Sequence, residues 1–215
     1  MAVICPTITA YTKNDFDEQI AKVGHIANRI QIDLTDGKFT DKATLALGDV
    51  WWPVGVKADI HLMFNNPLET TKVMIKHKPH LVIIHAESDD NFSEVIETCK
   101  HHKVKVGLAL LPKTGVETIS KWLSKIDHVL IFSGNLGYQG GSTADFDLLD
   151  KVTDIKRANN TVEIGWDGGV NDQNVAELIN GGVDVLNVGG FIQNAQDPEK
   201  AIDSLQRIAD ETGET

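Results

Sequence analysis

The sequence predicts a single α/β domain, spanning residues 1–215, that folds as a (β/α)8 barrel of the TIM type. Three observations support this prediction. About eight short runs of branched apolar residues alternate with longer segments whose apolar spacing is helical. Most of these runs are continuously apolar, as expected for strands that are covered on both faces. At roughly 27 residues per strand and helix, eight such units account for the whole chain.

The predicted strands follow one another at fairly even intervals. The first run is apolar, passes through Pro6 and is expected to be a buried strand. The eight runs are Val3 to Ile8, Arg29 to Leu34, Val56 to Leu62, His80 to His85, Val104 to Leu110, His128 to Phe132, Thr161 to Trp166 and Val183 to Val188.

The segments between the strands carry helical signals. Phe16, Ile20 and Val23 recur at the helical period, which predicts a helix with one buried face. The pairs Asn66–Pro67 and Asp197–Pro198 predict helix starts, because a capping side chain precedes a residue whose missing N–H costs nothing in the first turn. An open doubly wound sheet is the competing architecture. It favours a glycine-rich turn after the first strand, and Cys5–Thr9 contains no glycine.

Composition excludes several classes of protein. The chain is 41% hydrophobic and 24% charged, which is ordinary for a globular domain. Its formal net charge of -11 disfavours a surface for nucleic acid or anionic membrane. No stretch approaches the roughly 20 apolar residues that span a bilayer. Cys5 and Cys99 are isolated, so neither a disulfide framework nor a zinc site is indicated, and we expect a cytoplasmic protein.

Two acidic residues lie where predicted strands end. Asp33 follows Ile30–Ile32, and Asp167 follows Val162–Trp166. In a parallel barrel both carboxylates reach the same C-terminal mouth, where one can remove a proton that the other replaces. Taken alone, Asp33 would equally suit a helix cap or a turn.

Histidines end the next two strands. Asp59 and His61 share a strand face by the period of two, so we predict that Asp59 orients His61 as a hydrogen-bond acceptor. A histidine packed inside the barrel is the alternative. His85 ends the fourth strand, and both substrate contact and packing remain open for it.

Three glycine clusters follow the last three strands. Backbone N–H groups in such loops bind phosphate in many barrels, and glycine permits close approach. Tight turns that require glycine are the alternative for any one cluster. The clusters are Gly137, Gly140 and Gly141, then Gly168 and Gly169, then Gly189 and Gly190.

Five motifs occur in order along nearly the whole chain. They are Cys5–Ile8, Ile32–Gly37, Asp59–Met63, Ser133–Gly141 and Trp166–Asn171. Together they resemble the motifs of the ribulose-phosphate 3-epimerase family, and those at Asp59–Met63 and Asp167–Asn171 are the most specific. The resemblance implies a (β/α)8 barrel, a divalent metal held by two histidines and two aspartates, and two-base epimerisation of a pentulose 5-phosphate.

The resemblance also implies roles for individual residues. Asp33 and Asp167 would be the acid/base pair and metal ligands, His61 a further ligand, and Met63 part of the pocket wall. The glycines that would surround the phosphate are Gly137, Gly140, Gly141, Gly168, Gly169, Gly189 and Gly190.

The chain departs from the family pattern at the predicted metal site. Gln31 replaces the first metal-ligand histidine, and Ala10 replaces a serine that ends the first strand. The implied cofactor is a divalent ion of zinc, iron, manganese or cobalt. An amide oxygen is a poorer donor than imidazole to zinc, iron or cobalt, whereas manganese tolerates it better.

Three functional hypotheses follow. The leading one is a sugar-phosphate 3-epimerase that acts on a pentulose 5-phosphate such as ribulose 5-phosphate. The second is a divergent barrel that binds a phosphorylated sugar with weak or lost epimerase activity, because Gln31 and Ala10 remove polar groups from the mouth. The third is a metal-independent barrel lyase. A lyase favours a lysine at a strand end that faces the pocket, whereas Lys57 lies early in the third strand.

Trp51 and Trp52 precede Pro53 in a predicted loop. Paired large aromatic side chains there form either a surface for homo-oligomer assembly or a layer that packs under a neighbouring helix. Both interpretations stay open at the level of sequence.

Overall fold

The computed structural model of the chain describes residues 1–89 and 91–213. Eight parallel strands close into a barrel in the order in which they occur along the chain. The predicted fold class is therefore confirmed. The strands are β1 Val3–Thr9, β2 Arg29–Thr35, β3 Lys57–Met63, β4 Leu81–His85, β5 Lys105–Leu110, β6 His128–Phe132, β7 Glu163–Asp167 and β8 Val185–Val188.

Each strand begins and ends within two residues of its predicted bounds. The agreement follows from burial, because almost every strand residue is covered on one face by helices or on the other by the barrel interior. The helices are α1 Lys13–Val23, α2 Leu68–Met74, α3 Phe92–His101, α4 Leu149–Ala158, α5 Val175–Asn180, α6 Gly190–Gln193 and α7 Pro198–Gly213.

The predicted alternation of strand and helix fails in two connections. Within the described residues, 3-10 turns at Leu47–Asp49 and Val116–Trp122 take the place of an α-helix after β2 and β5. Pro53 interrupts the first connection, and Pro112 and Gly115 precede the second turn. These residues oppose a continuous helix, because proline has no backbone N–H to donate and glycine loses more conformational entropy than other residues when it is fixed in a helix.

Of the two predicted helix starts, one is confirmed. Asp197 Oδ1 accepts the Lys200 N–H at 3.1 Å, and α7 begins at Pro198. The prediction at Asn66 is wrong, because Pro67 itself occupies the position before α2. None of the helices in the described residues is long and apolar enough to cross a membrane.

Trp51 and Trp52 pack near the start of β3. The Trp51 Nε1 donates to Asp17 Oδ1 of α1 at 2.9 Å, while the side chain stays 46% exposed. The Trp52 ring lies 6.2 Å from the His77 ring, between centroids. The pair therefore contacts its own chain, and its role in assembly stays a prediction.

An ionic network lies inside the barrel at the N-terminal ends of the strands, which we call the lower end. Arg29 donates to Asp59 at 2.6 Å and to both oxygens of Glu163 at 2.9 and 2.8 Å. His128 Nδ1 lies 2.8 Å from the same carboxylate. Burial opposes ionisation of Glu163, but the hydrogen bonds from His128 and Arg29 hold its pKa well below its usual range.

The predicted role of Asp59 is wrong. Its carboxylate points to Arg29, two residues below His61 on the same strand face, and burial raises its pKa to about 7 despite that partner. Part of the remaining interior is apolar. Leu81, Ile83, Ala109 and Leu130 form a buried cluster.

Gly165 makes room for His128 in the ionic network. A methyl group on Gly165 would lie 2.5 Å from His128 Nε2 and 2.9 Å from Leu130 Cδ1. Both neighbours are buried, so the overlap cannot be relieved toward solvent.

We therefore expect Gly165→Ala to lower the free energy of unfolding by about 1–3 kcal/mol through overpacking. Urea denaturation measures the change. Gly48→Ala is the matched control, since a methyl group there meets no atom within 4 Å. Equal stability of the Gly165 variant and the control variant would contradict the tight packing of this layer.

Candidate active site

Asp33, His61 and Asp167 converge at the mouth of the barrel. They lie near the C-terminal ends of β2, β3 and β7, as their positions in the sequence predict. One ligand atom from each side chain lies within 4.8 Å of the others. The three residues are 5%, 0% and 9% exposed, respectively. The sequence therefore brings two carboxylates and one imidazole into a nearly dry space.

The Gln31 amide bridges the two carboxylates. Its Nε2 donates to Asp33 Oδ1 at 2.9 Å and to Asp167 Oδ2 at 2.5 Å. Its Oε1 is buried and has no hydrogen-bond partner among the described residues. Both N–H groups are thus used to offset repulsion between negative charges, at the cost of an unpaired carbonyl oxygen.

Thr9 adds a second donor beside Asp33. Its hydroxyl donates to Asp33 Oδ2 at 2.7 Å, and the side chain is buried. The sequence analysis missed this residue and considered Ala10 instead. The strand period was the available signal, because Thr7 and Thr9 alternate with apolar residues and therefore share the interior face.

The two carboxylates differ in their surroundings. Burial and the neighbouring negative charge of Asp33 together raise the pKa of Asp167 to about 7. Asp167 therefore exchanges its proton near neutral pH. A carboxyl group with such a pKa is suited to give and to take protons.

A line of polar contacts runs from the site into the wall of the barrel. His61 Nδ1 lies 2.9 Å from Asp33 Oδ1, and His61 Nε2 lies 2.9 Å from His85 Nε2. His85 Nδ1 in turn lies 3.3 Å from Glu87 Oε2. His85 thus lies beside the site in a buried position, as its place at the end of β4 predicts, and the choice between substrate contact and packing stays a prediction.

His85 and Glu87, the two members of this line furthest from Asp33, favour different charge states. Burial lowers the pKa of the His85 imidazole to about 4, outweighing the hydrogen bond to Glu87. Burial also opposes ionisation of Glu87, but hydrogen bonds from His85, Thr114 and the Leu111 amide lower its pKa below the usual range. A neutral imidazole and a carboxylate result at neutral pH.

The donor set fits a divalent cation. Asp33, His61 and Asp167 offer two oxygens and one nitrogen, a combination common to zinc, iron and manganese sites. Gln31 offers a fourth donor, since rotation of its amide would turn the unpaired Oε1 toward the two carboxylates. The buried, unpaired carbonyl oxygen is the observation that favours a cation here.

A cavity opens directly above these groups. Four predicted site residues do not line it, namely Gln31, His61, Gly141 and Gly169. Gly169 instead packs against backbone, since a methyl group there would lie 2.1 Å from the Ala144 nitrogen. The predicted site residues that line the cavity are Asp33, Met63, Gly137, Gly140, Asp167, Gly168, Gly189 and Gly190.

Glycine is required at the upper rim of the cavity. Gly168 has φ +123°, and a methyl group on it would lie 2.3 Å from the Gly134 nitrogen. Gly140 has φ +70° and lies close to Gly190, the first residue of α6. The loop after β6 and the start of α6 thereby approach one another closely at Gly140 and Gly190, without side chains between them. The phosphate-binding hypothesis requires such an approach, because the phosphate would contact backbone N–H groups.

Comparison with known proteins identifies the family. The model of the ribulose-phosphate 3 epimerase family matches residues 3–193. The chain belongs to this family. The resemblance inferred from the motifs is confirmed.

Two curated relatives are ribulose-phosphate 3-epimerases from bacteria. The Helicobacter pylori protein is 31% identical over 212 residues, which cover 95% of this chain and 97% of the relative. The Bacillus subtilis protein is 29% identical over 188 residues, which cover 84% and 86%.

Two solved structures share the barrel at low sequence identity. A 3-hexulose-6-phosphate synthase aligns with a TM-score of 0.71 at 16% identity, over 96% of this chain and 99% of that one. The 3-keto-L-gulonate-6-phosphate decarboxylase of Vibrio cholerae aligns with a TM-score of 0.73 at 10% identity, over 98% of each chain. At these identities the comparison supports the fold alone.

Lys57 does not support a lyase within this fold. It is the first residue of β3 and is exposed at the end of the barrel opposite the site. Among the described residues, the lining of the cavity contains no lysine. The lysine that a metal-independent lyase favours is therefore missing from this part of the epimerase-family barrel.

Gln139 fastens the loop after β6 over the cavity. Its Oε1 accepts the Thr9 N–H at 2.7 Å, and its Nε2 donates to the Thr7 carbonyl at 3.0 Å. The Tyr11 hydroxyl also donates to the Gly137 carbonyl. Sequence reasoning missed this clamp, since nothing local to Gln139 indicates contact with β1.

We expect Gln139→Ala to speed amide hydrogen exchange in residues 134–142 by about 30-fold, because two hydrogen bonds of about 1 kcal/mol each are lost. Mass spectrometry of the loop peptide measures this rate. Gln173→Ala, in the exposed connection before α5, is the control and should leave the rate unchanged. An unaltered rate in the Gln139 variant would rule out the clamp.

Proposed function

We propose that the protein is a sugar-phosphate 3-epimerase that acts on a pentulose 5-phosphate such as ribulose 5-phosphate. The observation that carries this proposal is the paired burial of Asp33 and Asp167 at the barrel mouth, with ligand atoms within 4.8 Å. Epimerisation needs one group to remove a proton and another to return it to the opposite face. Membership of the ribulose-phosphate 3 epimerase family supports the same reaction.

Asp33 and Asp167 are the proposed acid and base. The ionised carboxylate takes the proton from C3 of the sugar, next to the C2 ketone, and the protonated carboxyl gives its proton to the other face of C3. Burial and the nearby charge of Asp33 raise the pKa of Asp167 to about 7, which favours a proton on the pair near neutral pH. In the reverse direction the two residues exchange these roles.

Negative charge builds up on the sugar when the C3 proton leaves. The Gln31 amide and the Thr9 hydroxyl keep the aspartates in place by hydrogen bonds to their oxygens. A bound divalent cation would supply electrostatic stabilisation of that charge. Asp33, His61 and Asp167 would hold it, with the Gln31 carbonyl oxygen as the fourth donor.

The proposed phosphate site is made of backbone rather than basic side chains. Gly140, Gly168, Gly189 and Gly190 line the upper part of the cavity, on the loops after β6, β7 and β8. Local N–H dipoles attract a phosphate even though the chain carries a formal net charge of -11. Met63 lines the same cavity and offers a polarisable, proton-free surface beside the sugar.

We expect Asp167→Asn to abolish conversion of ribulose 5-phosphate into its C3 epimer, since the amide cannot give a proton to the opposite face of C3. Proton NMR with added zinc follows the conversion. Binding of inorganic phosphate should change little, because the glycine loops are untouched. Asp172→Asn, which alters an exposed residue five positions further on, is the matched control. Undiminished epimerisation by the Asp167 variant would exclude the proposed role.

We expect Gln31→His to raise the affinity for zinc at least 10-fold, because imidazole is a better donor than an amide oxygen to this ion. Isothermal titration calorimetry with zinc and with manganese measures both affinities. Gln173→His serves as the control for adding a histidine at an exposed place. Equal affinity of wild type and Gln31→His would place residue 31 outside the coordination shell.

A further inference from the structure

We propose that Asn187 recognises the C4 hydroxyl of the sugar and thereby makes the site selective for pentulose 5-phosphates that carry this group. The inference rests on the proposed function and adds to it a residue outside the motifs and the acid/base pair. Asn187 lies in β8 among Val185, Leu186 and Val188, and all four residues are buried. Asparagine is depleted in strands, and a residue that conflicts with its local structure is expected at a functional site.

The Asn187 amide is buried without a hydrogen-bond partner. The residue is 2% exposed, and neither its Nδ2 nor its Oδ1 has a partner among the described residues. Such an amide destabilises the fold, because it has left water without gaining a hydrogen bond. A ligand group that both donates and accepts offsets this penalty. A hydroxyl group does both, whereas a ketone or an ionised phosphate oxygen only accepts.

Asn187 belongs to the wall of the cavity in the candidate active site. It lines that cavity together with Asp167, its register partner on β7, so the two side chains share the interior face of the barrel. The Thr7 hydroxyl of β1 lines the same cavity and is also buried without a partner among the described residues. The wall formed by β8 and β1 therefore carries unused polar groups beside the proposed sugar site.

The position of Asn187 selects one hydroxyl of the substrate. Neighbouring strands lie about 4.8 Å apart, so Asn187 lies beside Asp167, which acts at C3 in the proposed mechanism. Gly189 and Gly190 of the proposed phosphate site follow Asn187 by two and three residues. The phosphate is carried by C5, and C4 joins C5 to C3. The C4 hydroxyl is therefore the group that reaches the Asn187 amide.

The test is the affinity of the protein for ribulose 5-phosphate, for its 4-deoxy analogue and for inorganic phosphate, measured by isothermal titration calorimetry. We expect wild type to bind ribulose 5-phosphate about 10–100-fold more tightly than the analogue, which leaves the buried amide unpaired. Asn187→Leu, which keeps the size of the side chain but removes its polar atoms, should lose this preference. Its affinity for inorganic phosphate should stay that of wild type, because the glycine loops are untouched.

Thermal unfolding separates recognition from a structural role. Asn187→Leu removes two unpaired polar atoms from the interior, so its melting temperature should equal or exceed that of wild type. Asn180→Leu, which alters an exposed residue at the end of α5, is the matched control and should keep the wild-type preference. A lower melting temperature of Asn187→Leu, with all three ligands weakened equally, would assign Asn187 to the fold and overturn the proposal.

The comparison of the two sugars in wild type decides the proposal without any variant. Equal affinity for both would overturn it, as would a preference that survives in Asn187→Leu. A protein that shows the expected preference but does not convert ribulose 5-phosphate into its epimer would refute the proposed function and leave this inference standing. Conversion without the preference would refute this inference alone.

Discussion

The burial of two carboxylates side by side is the constraint on which this molecule depends. Asp33 and Asp167 lie with ligand atoms within 4.8 Å of each other, where little water screens their charges. Two ionised carboxylates at this distance repel one another. Contacts with Gln31, Thr9 and His61 at the carboxylate oxygens reduce this repulsion. A retained proton reduces it further, as the raised pKa of Asp167 shows. The same repulsion gives the two groups different affinities for a proton, which is what the proposed two-base epimerisation requires.

The strands were predictable because their burial is almost complete. In the predicted run Val104 to Leu110 every residue except Lys105 is buried, and the structure begins β5 one residue later. The connections were less predictable, because their conformation depends on single residues. Pro53 and Pro112 prevent the helices that the alternation implied after β2 and β5. At Asn66 a cap was expected from a local signal, but the helix begins one residue too late to use it.

The site was predictable where chemistry coincides with a strand end. Asp33, Asp167 and His61 could be placed at one mouth from their positions alone, since parallel strands of a barrel share their direction. Asp59 could not be assigned correctly, because it accepts a hydrogen bond from Arg29 of the neighbouring strand β2 rather than from His61. Gln139 is 130 residues from the Thr9 amide that it contacts. Sequence periodicity does not predict a contact between residues so far apart, because closure of the barrel brings them together.

The barrel interior contains two polar groups of residues, the Arg29 network and the site at the mouth. Glu163 of the network and Asp167 of the site lie on one strand, four residues and roughly 13 Å apart. Over that distance, we expect the energetic effects of substitutions at the two positions to be additive. Asp59 is different, because it lies only two residues from His61 on β3. Thermal tolerance and turnover can therefore be engineered separately along β7, whereas a change at Asp59 affects both.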